Sequence, residues 1–477
     1  MFRRENIHDL AFWICLFFLI GIALFSFLNS LLIIISIVFL LFFYLLTISK
    51  KDLALLFLFV IAGSLYAYLF NFYQLENINI PFEKNGDFEG IILDTKSGYS
   101  GQQLKVSLTG NYKGNINLKT GSYPELSYGD RIKFIGVIKQ IAGDYRNYYL
   151  SKNIFGESDS KKVEIISRNN GNFIKSGLLS FRNKLKNIFN SSLPREKAAF
   201  LAGITIGGKE DFSKEFKDKM SLSGTTHLVA LSGYNISIVI LISGLIFSLY
   251  FSISVSFYLS ILLVILFVIM TGGEASVVRA AIMGVIMILS VQSERLFSAR
   301  NGIIIAAFIM ALFNPNVLVF DVGFQLSFAA LLGIVYLSPA LEKIFKFQSP
   351  GLFSWKENAL MTLAAQIMAL PILIANFGVF SLTSILANIL ILEFIPLTMA
   401  IGFSLVLFGL FSDFLAKILG LLANIFISYE FFTIDLFSRF SIPIKILGTG
   451  IIFWLIYYTV IALFILFGNK KYNEERI

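Results

Sequence analysis

The sequence has almost no cysteine or histidine, and this scarcity removes several classes of protein. One cysteine, Cys15, and two histidines, His8 and His227, occur in 477 residues. A single cysteine forms no intramolecular disulfide, and a zinc site needs three or four ligands that are usually Cys or His. We therefore expect no metal site, no cofactor and no zinc-dependent catalysis.

Charge is also scarce, whereas apolar residues are abundant. Only 14% of the residues are charged, 56% are hydrophobic, and 51 are phenylalanine. Apolar runs of about 18 residues or more can cross a bilayer as helices. The formal net charge of +9 is typical of basic cytoplasmic loops, so it does not by itself indicate nucleic-acid binding. The composition predicts a polytopic helical membrane protein.

The apolar runs suffice for about twelve transmembrane helices, three near the N-terminus and nine further along. They cover residues 10–28, 31–48, 53–72, 228–250, 252–270, 275–291, 302–319, 321–337, 359–377, 384–410, 413–436 and 447–467. We expect the run at 384–410 to be broken or re-entrant. The basic stretches MFRR, SKK, SERLFSAR, LEKIFKF and the C-terminal tail fall on one side in this count. The positive-inside rule therefore places both termini in the cytoplasm.

Residues 80–168 change from long apolar runs to short alternating segments. FEGIILDT, QQLKVSL, GNINLKT and DRIKFIGVI alternate polar and apolar residues between turns of Gly, Asn and Asp, a pattern typical of β-strands. About five short strands predict a small all-β domain of the OB type, which the helix count places outside. The fold class is therefore mostly α, a polytopic helical membrane protein with one small extracytoplasmic OB-like domain.

The domain organisation follows from these patterns. In residues 173–190 the apolar side chains share one helical face and the basic ones lie off it. We expect an amphipathic helix on the membrane surface or a linker helix packed on the β domain. The predicted divisions are three N-terminal transmembrane helices (1–79), the OB-like domain (80–170), amphipathic and linker helices at the outer surface (171–226), a multi-helix membrane domain (227–470) and a cytoplasmic tail (471–477).

Basic and aromatic residues are frequent in the predicted β domain. Single-stranded nucleic acid is held by positive grooves with aromatic stacking platforms, although aromatic residues also serve strand packing. The candidate nucleic-acid contacts are Tyr99, Lys105, Tyr112, Lys113, Arg131 and Lys133.

Two short patterns resemble catalytic motifs, but each lacks a feature that the chemistry requires. GITIGGKE (203–210) matches G-x-x-x-x-G-K, but Glu210 stands where a P-loop needs Ser or Thr for magnesium. His227 and Ser232 would point to different faces of one helix, whereas a His–Ser dyad needs hydrogen-bond reach. We expect no catalytic residue, and an intramembrane serine hydrolase stays as a minor alternative.

Polar residues inside apolar runs are costly, so each is a candidate for a water-lined path or a helix contact. They are His227, Asn235, Glu274, Arg279, Asp321, Gln325, Gln366, Asn376, Asn388 and Glu393. Helix ends and interhelical hydrogen bonds explain some of them, and Arg279 is placed where it can snorkel to the surface.

Three of these stretches together resemble one family, the ComEC competence proteins. HLVALSGYNISIV (227–239) is similar to the family's His-hydrophobic-Ser-Gly signature, and TGGEASVVRAAIMGVIM (271–287) to its Ser-x-x-Arg-Ala helix. NPNVLVFDVGFQLSFAALLGI (314–334) is similar to its Asn-Pro…Asp-x-Gly-Phe-Gln-Leu-Ser-Phe segment. LSYGDRIKFIGVI (126–138) and DYRNYYLSKNIFGE (144–157) resemble its N-terminal OB-like domain. The resemblance covers most of the chain, in the family's order.

The resemblance implies an inner-membrane channel that takes up single-stranded DNA during natural transformation. The transport-path or DNA-contact candidates are His227, Ser232, Gly233, Asn235, Arg279, Asp321, Gln325 and Glu393. The expected partners are membrane lipids, a DNA receptor outside, a cytosolic helicase or other motor, and a separate nuclease, with the oligomeric state left open. A transporter or exporter of a small-molecule or lipid-linked substrate is the alternative.

Two departures from the family bear on mechanism. Asn235 stands where the family often has a second histidine, and an amide takes no proton near neutral pH. A metallo-β-lactamase-like nuclease domain needs clustered His and Asp, and the sequence has no such cluster. We therefore expect no enzymatic activity, and strand degradation is assigned to another protein.

Overall fold

The computed structural model describes most of the chain, in two compact units. The described residues are 7–28, 30–47, 51–98, 101–143, 146–160, 162–208, 212–229, 233–292, 298–345, 355–377, 379–381, 383–441, 443–445 and 451–474. The first unit comprises Met1–Leu179, Ile236–Gly273 and Val277–Asp321, and the second comprises Ser180–Asn235, Glu274–Ser276 and Val322–Ile477. Among the candidate residues, Tyr99 and Ser232 lie outside the described residues.

Helices make up most of the described chain, as expected. In chain order they are α1 (Ile7–Leu28), α2 (Leu31–Thr47), α3 (Lys51–Glu76), α4 (Arg146–Ser151), α5 (Phe173–Ser192), α6 (Arg195–Ile206), α7 (Lys214–Leu222), α8 (Gly233–Tyr250), α9 (Ile253–Met270), α10 (Ala275–Gln292), α11 (Ala299–Phe313), α12 (Val317–Phe320), α13 (Val322–Leu332), α14 (Ser338–Phe345), α15 (Trp355–Phe377), α16 (Thr383–Leu392), α17 (Ile395–Gly409), α18 (Asp413–Arg439) and α19 (Ile451–Glu474). A π-helical turn, Gly333–Leu337, joins α13 to α14.

Six of the described helices are long and apolar enough to cross a membrane. They are Leu10–Leu28, Ala54–Glu76, Ile253–Met270, Val322–Ile344, Lys356–Asn376 and Asp413–Arg439. Thr383–Leu392 and Ile395–Gly409 form a seventh candidate, bent by 47°, where the sequence indicated a broken segment. Five further apolar helices are shorter, in the range of 10–17 residues. The chain is a multi-pass membrane protein with six or seven candidate crossings among the described helices, and the twelve expected crossings are not confirmed.

In the first unit, α1 and α3 approach closely because two glycines leave room for backbone contact. A Cβ atom on Gly63 would lie 2.1 Å from the carbonyl oxygen of Phe18, and one on Gly21 would lie 2.1 Å from that of Val60. Ser64 Oγ donates to the carbonyl of Gly21 at 2.8 Å. In lipid, small residues and interhelical hydrogen bonds of this kind hold helices together.

A seven-stranded sheet follows α3, and it confirms the predicted small β region. The strands are β1 (Asn85–Gly98), β2 (Gly101–Thr109), β3 (Gly114–Thr120), β4 (Arg131–Val137), β5 (Lys139–Gln140), β6 (Gly156–Asp159) and β7 (Val163–Ser167), in the order β5-β6-β3-β2-β1-β4-β7. The β3–β6 pair is parallel. Only Ile138 separates β4, which pairs with β1, from β5, which pairs with β6. The sheet therefore curls until its two sides meet along one continuous segment.

Apolar side chains at every second position of the strands form the core of this sheet. Leu104, Val106 and Leu108 of β2 are buried, and each is flanked by residues that reach the surface. They pack with Phe88 and Phe134, which are almost fully buried and stack at a ring-centroid distance of 5.5 Å. Each fully buried side chain of this size contributes roughly 1.5–3 kcal/mol. A separate two-stranded sheet joins β8 (Val379–Ser381) to β9 (Pro443–Lys445).

The predicted amphipathic segment forms α5, and its two ends differ. In its C-terminal half Leu185 and Phe189 are buried. At its N-terminal end Phe173 is 90% exposed, which suits a helix at a membrane surface. Lys175 reaches back to the β domain, where its Nζ lies 4.4 Å from the ring centroid of Tyr128.

In the second unit, α6 is buried along most of its length, from Ala198 to Ile206. Glycines again allow the close contacts. A Cβ atom on Gly402 of α17 would lie 2.7 Å from the side chain of Leu201, and one on Gly420 of α18 would lie 2.6 Å from a backbone oxygen.

The P-loop-like stretch at 203–210 is the end of a helix, as far as it is described. Gly207 caps α6 with φ 79°, a backbone conformation that glycine adopts without strain. A phosphate-binding glycine loop leads into a helix N-terminus, whereas this one follows a helix C-terminus. Residues 209 to 211 lie outside the described residues.

Candidate functional site

The β domain meets the membrane helices of the first unit through an ion pair. Lys152, which follows α4, has its Nζ 2.5 Å from Oδ2 of Asp321 at the end of α12. The side chain of Asp321 is only 5% exposed, whereas that of Lys152 is 41% exposed. A carboxylate removed from water to this degree depends on its partner for compensation.

The Asn-Pro segment before Asp321 makes further contacts in the same region. Asn314 Nδ2 donates to the carbonyl of Ser151 at 2.7 Å, and Asn316 Nδ2 donates to Oδ1 of Asn71 at 2.9 Å. The segment therefore binds both α3 and α4. We call this set of residues the junction: Asn71, Ser151, Lys152, Asn314, Asn316 and Asp321.

Three lysines converge beside the junction. Lys105 Nζ donates to the carbonyl of Lys152 at 2.6 Å, and Lys175 Nζ donates to the carbonyl of Leu93 at 3.1 Å. Burial lowers the pKa of the Lys105 ammonium; Asp94 opposes this by attraction, and Lys152 and Lys175 lower it further by repulsion. Cations crowded in this way favour an anion beside them. We call Lys105, Lys152 and Lys175 the lysine cluster.

The other described candidates on the β domain have partners within that domain or, for Lys113, in the segment that follows α3. The cations pair as Arg131 with Glu89 at 2.9 Å, Lys133 with Asp87 at 3.2 Å and Lys113 with Asn77 at 3.1 Å. Exposed pairs contribute only about 0–1 kcal/mol, so an anion can compete for these cations. Tyr112 packs on the core, with its ring centroid 5.3 Å from that of Phe88. Each of these candidates therefore already has a contact within the protein, and Arg131 and Lys133 lie on the same, outward face of β4.

His227 lies in the turn between α7 and α8, and it is exposed. The protein around the imidazole nevertheless desolvates it and lowers its pKa, while a hydrogen bond with the Gly224 backbone acts in the opposite direction. The ring is therefore neutral at pH 7 and presents one donor and one acceptor.

Asn235 holds the start of α8 to the end of α6. It is 2% exposed, and its Nδ2 donates to the carbonyl of Ile204 at 2.7 Å. The last turn of a helix has carbonyls without intrahelical partners, and Asn235 satisfies one of them. Gly233, another candidate, is the first residue of α8 and is partly buried.

The turn that precedes His227 depends on a glycine. Gly224 has φ +68°, and a Cβ atom there would lie 2.2 Å from Cβ of Ser384 in α16. Ser223 Oγ and Thr225 Oγ1 are 2.8 Å apart. The turn therefore packs closely against α16 of the bent helix pair, and this contact fixes the backbone position of His227.

The remaining candidates lie in separate parts of the fold. Arg279 lies in α10 and Gln325 in α13; both are partly buried, and both have interaction partners. Glu393 lies in the break between α16 and α17, where its Oε2 accepts from Nδ2 of Asn358 at 2.8 Å. Their assignment to a transport path remains a prediction.

Two side chains with prominent contacts were missed by the sequence analysis. Lys152 lies in the stretch DYRNYYLSKNIFGE (144–157), which resembles the family, but it gave no signal that singled it out from the other residues of that stretch. Glu430 did give one, since it is an acid within an apolar run. Glu430 is 0% exposed and its Oε1 lies 2.7 Å from Oγ1 of Thr398.

The described side chains offer charge and hydrogen bonding rather than a metal centre. Within the part of the chain that the structure describes, no group of three or more His, Cys, Asp or Glu is placed to hold a metal ion. The lysine cluster and the basic residues of the β domain supply the chemistry for binding an anion.

Comparisons with known proteins agree with the motifs. The family model for Competence protein matches residues 204–471, which include all three motif stretches. ComE operon protein 3 of Bacillus subtilis (strain 168) is 28% identical over 257 residues, which are 53% of this chain and 31% of that protein. The match thus spans less than a third of the relative's length, and no solved structure matches. Because the family model covers more than half of the chain, this protein belongs to the competence protein family, the ComEC family that its motifs resemble.

Proposed function

We propose that this protein is a channel that carries single-stranded DNA across the plasma membrane into the cytoplasm during natural transformation. The observation that carries the proposal is the family match over residues 204–471, which contain the His-hydrophobic-Ser-Gly, Ser-x-x-Arg-Ala and Asn-Pro…Asp stretches. The lysine cluster supports it independently, because it offers positive charge beside the membrane helices. In this account the protein conducts DNA and catalyses no reaction.

The proposed channel has twelve membrane crossings. The five shorter apolar helices, the six long ones and the bent pair coincide one for one with the twelve segments expected from the sequence. Short crossings are accommodated by local thinning of the bilayer. With this count the basic connections face the cytoplasm, so both termini are cytoplasmic and the β domain is extracytoplasmic.

The β domain is proposed to be an OB-like barrel that receives the strand. Its curled sheet, closed through β4 and β5, supports this assignment, and OB folds bind oligonucleotides. The lysine cluster would contact phosphates, and the weakly paired Lys113, Arg131 and Lys133 would exchange their partners for phosphate. Because the junction joins this domain to α3 and α12, a strand bound there is delivered to the membrane helices.

Beyond the β domain, the candidate path residues take two kinds of role. Asn235 and Asp321 are buried and hydrogen-bonded, so in this proposal they hold the walls of the path. His227 is exposed and is the candidate best placed to meet the strand. Ser232, Gly233, Arg279, Gln325 and Glu393 complete the proposed path.

Moving DNA into the cell against the membrane potential requires an external source of work. With the cell interior negative, moving each phosphate charge inward costs about 2.3 kcal/mol per 100 mV. We therefore propose a cytosolic helicase or other motor that pulls the strand, a DNA receptor that presents it outside, and a separate nuclease that degrades the complementary strand.

The test is uptake of labelled double-stranded DNA by a competent host that lacks this gene. Plasmid-borne protein should restore label that is cytosolic and protected from added nuclease, and His227→Ala should reduce it while membrane insertion is unchanged. Ser248→Ala is the matched control, because that hydroxyl is exposed and donates to the carbonyl of Leu245 in its own helix. Equal protected label with and without the protein would reject the channel and favour the transporter alternative.

A further inference from the structure

A buried acid that DNA conduction does not use lies beside the bent helix pair. Glu430 lies in α18, beside the first turn of α17 and so next to the break between α16 and α17. Its side chain is fully buried, and within the described part of the chain its Oε2 has no hydrogen-bond partner. A carboxylate in such a place would leave a charge without water and one oxygen without a donor, which is among the costliest arrangements in a membrane protein.

The count of hydrogens around Thr398 indicates the state of Glu430. Thr398 Oγ1 lies 2.7 Å from Glu430 Oε1 and 3.1 Å from the carbonyl oxygen of Phe394. The Phe394 carbonyl already accepts the backbone N–H of Thr398 at 2.9 Å, so the single hydroxyl hydrogen of Thr398 is available to Oε1 of an ionised Glu430, whereas Oε2 would still have no donor in the described part of the chain. If Glu430 carries a proton, its O–H donates to Thr398 Oγ1 and the Thr398 hydroxyl donates to Phe394, so both contacts are satisfied.

Among the residues that the structure describes, no charged group pairs with Glu430 as a counter-ion. The adjacent helices α16 and α17 have no charged residue. On α6, Lys197 bonds to Asn424 and Ser428 of α18, and Ser428 is two positions from Glu430, almost on the opposite face. The other charged residues on neighbouring elements are Arg195 and Glu196 of α6, Lys214, Glu215, Lys217, Asp218 and Lys219 of α7, Glu393 in the break, and Asp413, Lys417, Asp435 and Arg439 of α18 itself.

From this geometry we infer that Glu430 is a proton-binding site, in which the neutral carboxyl group donates to Thr398 and ties α18 to the first turn of α17. The bond links the long helix to one side of the 47° bend. Loss of the proton would turn the Thr398 hydroxyl towards Oε1 of Glu430 and leave a buried charge whose Oε2 has no donor among the described residues. This site is independent of the proposed DNA channel.

Infrared spectroscopy of the full chain in lipid nanodiscs tests the inference at pH 7. A protonated carboxyl group has a carbonyl stretching band apart from the carboxylate and amide bands, and 13C-glutamate labelling identifies it. We expect a labelled band that Glu430→Gln removes completely and that Glu357→Gln, at an exposed position in the first turn of α15, leaves unchanged. Thr398→Val should keep the band but shift it upwards in frequency, because the carboxyl group then has no acceptor for its hydrogen.

Thr398→Val also covers the case in which Glu430→Gln does not fold, because it leaves the carboxyl group in place. Absence of any labelled protonated-carboxyl band in the wild-type protein would overturn the inference. A band that is identical in the wild-type protein and in Glu430→Gln, or one that Thr398→Val does not shift, would overturn it equally.

Discussion

Lys152 Nζ and Asp321 Oδ2 lie 2.5 Å apart although the two residues are 169 positions apart in the chain. One belongs to the β domain and the other to the Asn-Pro…Asp stretch that marks the family. The carboxylate is nearly buried, so the family motif in this protein has a structural role. It joins the β domain to α3 and α12.

We expect Asp321→Asn to destabilise the junction by about 1–3 kcal/mol, the usual cost of removing a hydrogen bond to a charged group. The ammonium group of Lys152 is half exposed and can be hydrated in the variant, so we expect a destabilisation near the lower end of that range. Thermal unfolding of the purified chain in detergent measures the change. Asp87→Asn, which removes an exposed partner of Lys133, is the matched control and should shift unfolding little. If Lys152→Met and Asp321→Asn are strictly additive, the two residues are not coupled and the junction is wrongly described.

The lysine cluster predicts how DNA binding depends on salt. Lys105→Gln should weaken binding of single-stranded DNA to the full chain and reduce the slope of log affinity against log salt by about 0.7, because one lysine–phosphate interaction is removed. Binding titrations between low and physiological salt give the slope. Lys162→Gln removes an exposed lysine outside the cluster and serves as the control. Equal slopes for both variants and the wild-type protein would remove Lys105 from the DNA site.

The desolvated imidazole of His227 predicts an acid-sensitive stability. Its pKa in the folded protein lies below the ordinary value of 6.5, so below that pH the unfolded chain binds more protons than the folded one. The contribution of neutral His227 to the free energy of unfolding is therefore fully present above about pH 6.5, and it is lost as the pH drops through and below that value. The unfolding temperature of wild-type protein should decrease more between pH 7.5 and 5.5 than that of His227→Gln. The reverse order would show that folding raises the pKa of His227.

The close approach of α1 and α3 predicts that glycine is required at position 63. A valine there would put its Cβ atom against the Phe18 carbonyl, and overpacking of this kind costs about 1–3 kcal/mol. Gly244→Val in α8 is the control, because a Cβ atom there meets nothing within 4 Å. Thermal unfolding compares the two variants. A larger destabilisation by Gly244→Val than by Gly63→Val would contradict the packing.

The sequence predicts elements well where a local pattern determines them. The run from Leu10 to Leu28 is continuously apolar over the length of a membrane helix, and Leu104, Val106 and Leu108 alternate with polar residues, so helix and strand were both predicted correctly. The bend between α16 and α17 was also anticipated.

Contacts between distant residues were not predictable in the same way. Asn235 was interpreted as a path candidate because it is polar in an apolar run, and its partner, the Ile204 carbonyl, is a backbone group that no sequence pattern indicates. The Lys152–Asp321 pair depends on where the β domain sits on α12, and Glu430 depends on the pairing of α17 with α18. These features arise from tertiary packing, and a period along the chain does not encode them.

The central claim is that the incoming DNA strand passes through this protein, and photo-crosslinking during uptake tests it most directly. A photoreactive amino acid at position 227 should crosslink to labelled DNA in competent cells. The same group at Leu421, a 69% exposed residue of the apolar helix α18, should crosslink to lipid and not to DNA. DNA captured at position 227 and not at position 421 is the result that the channel account predicts. Internalised DNA with no crosslink at position 227, or with equal capture at both positions, would contradict it.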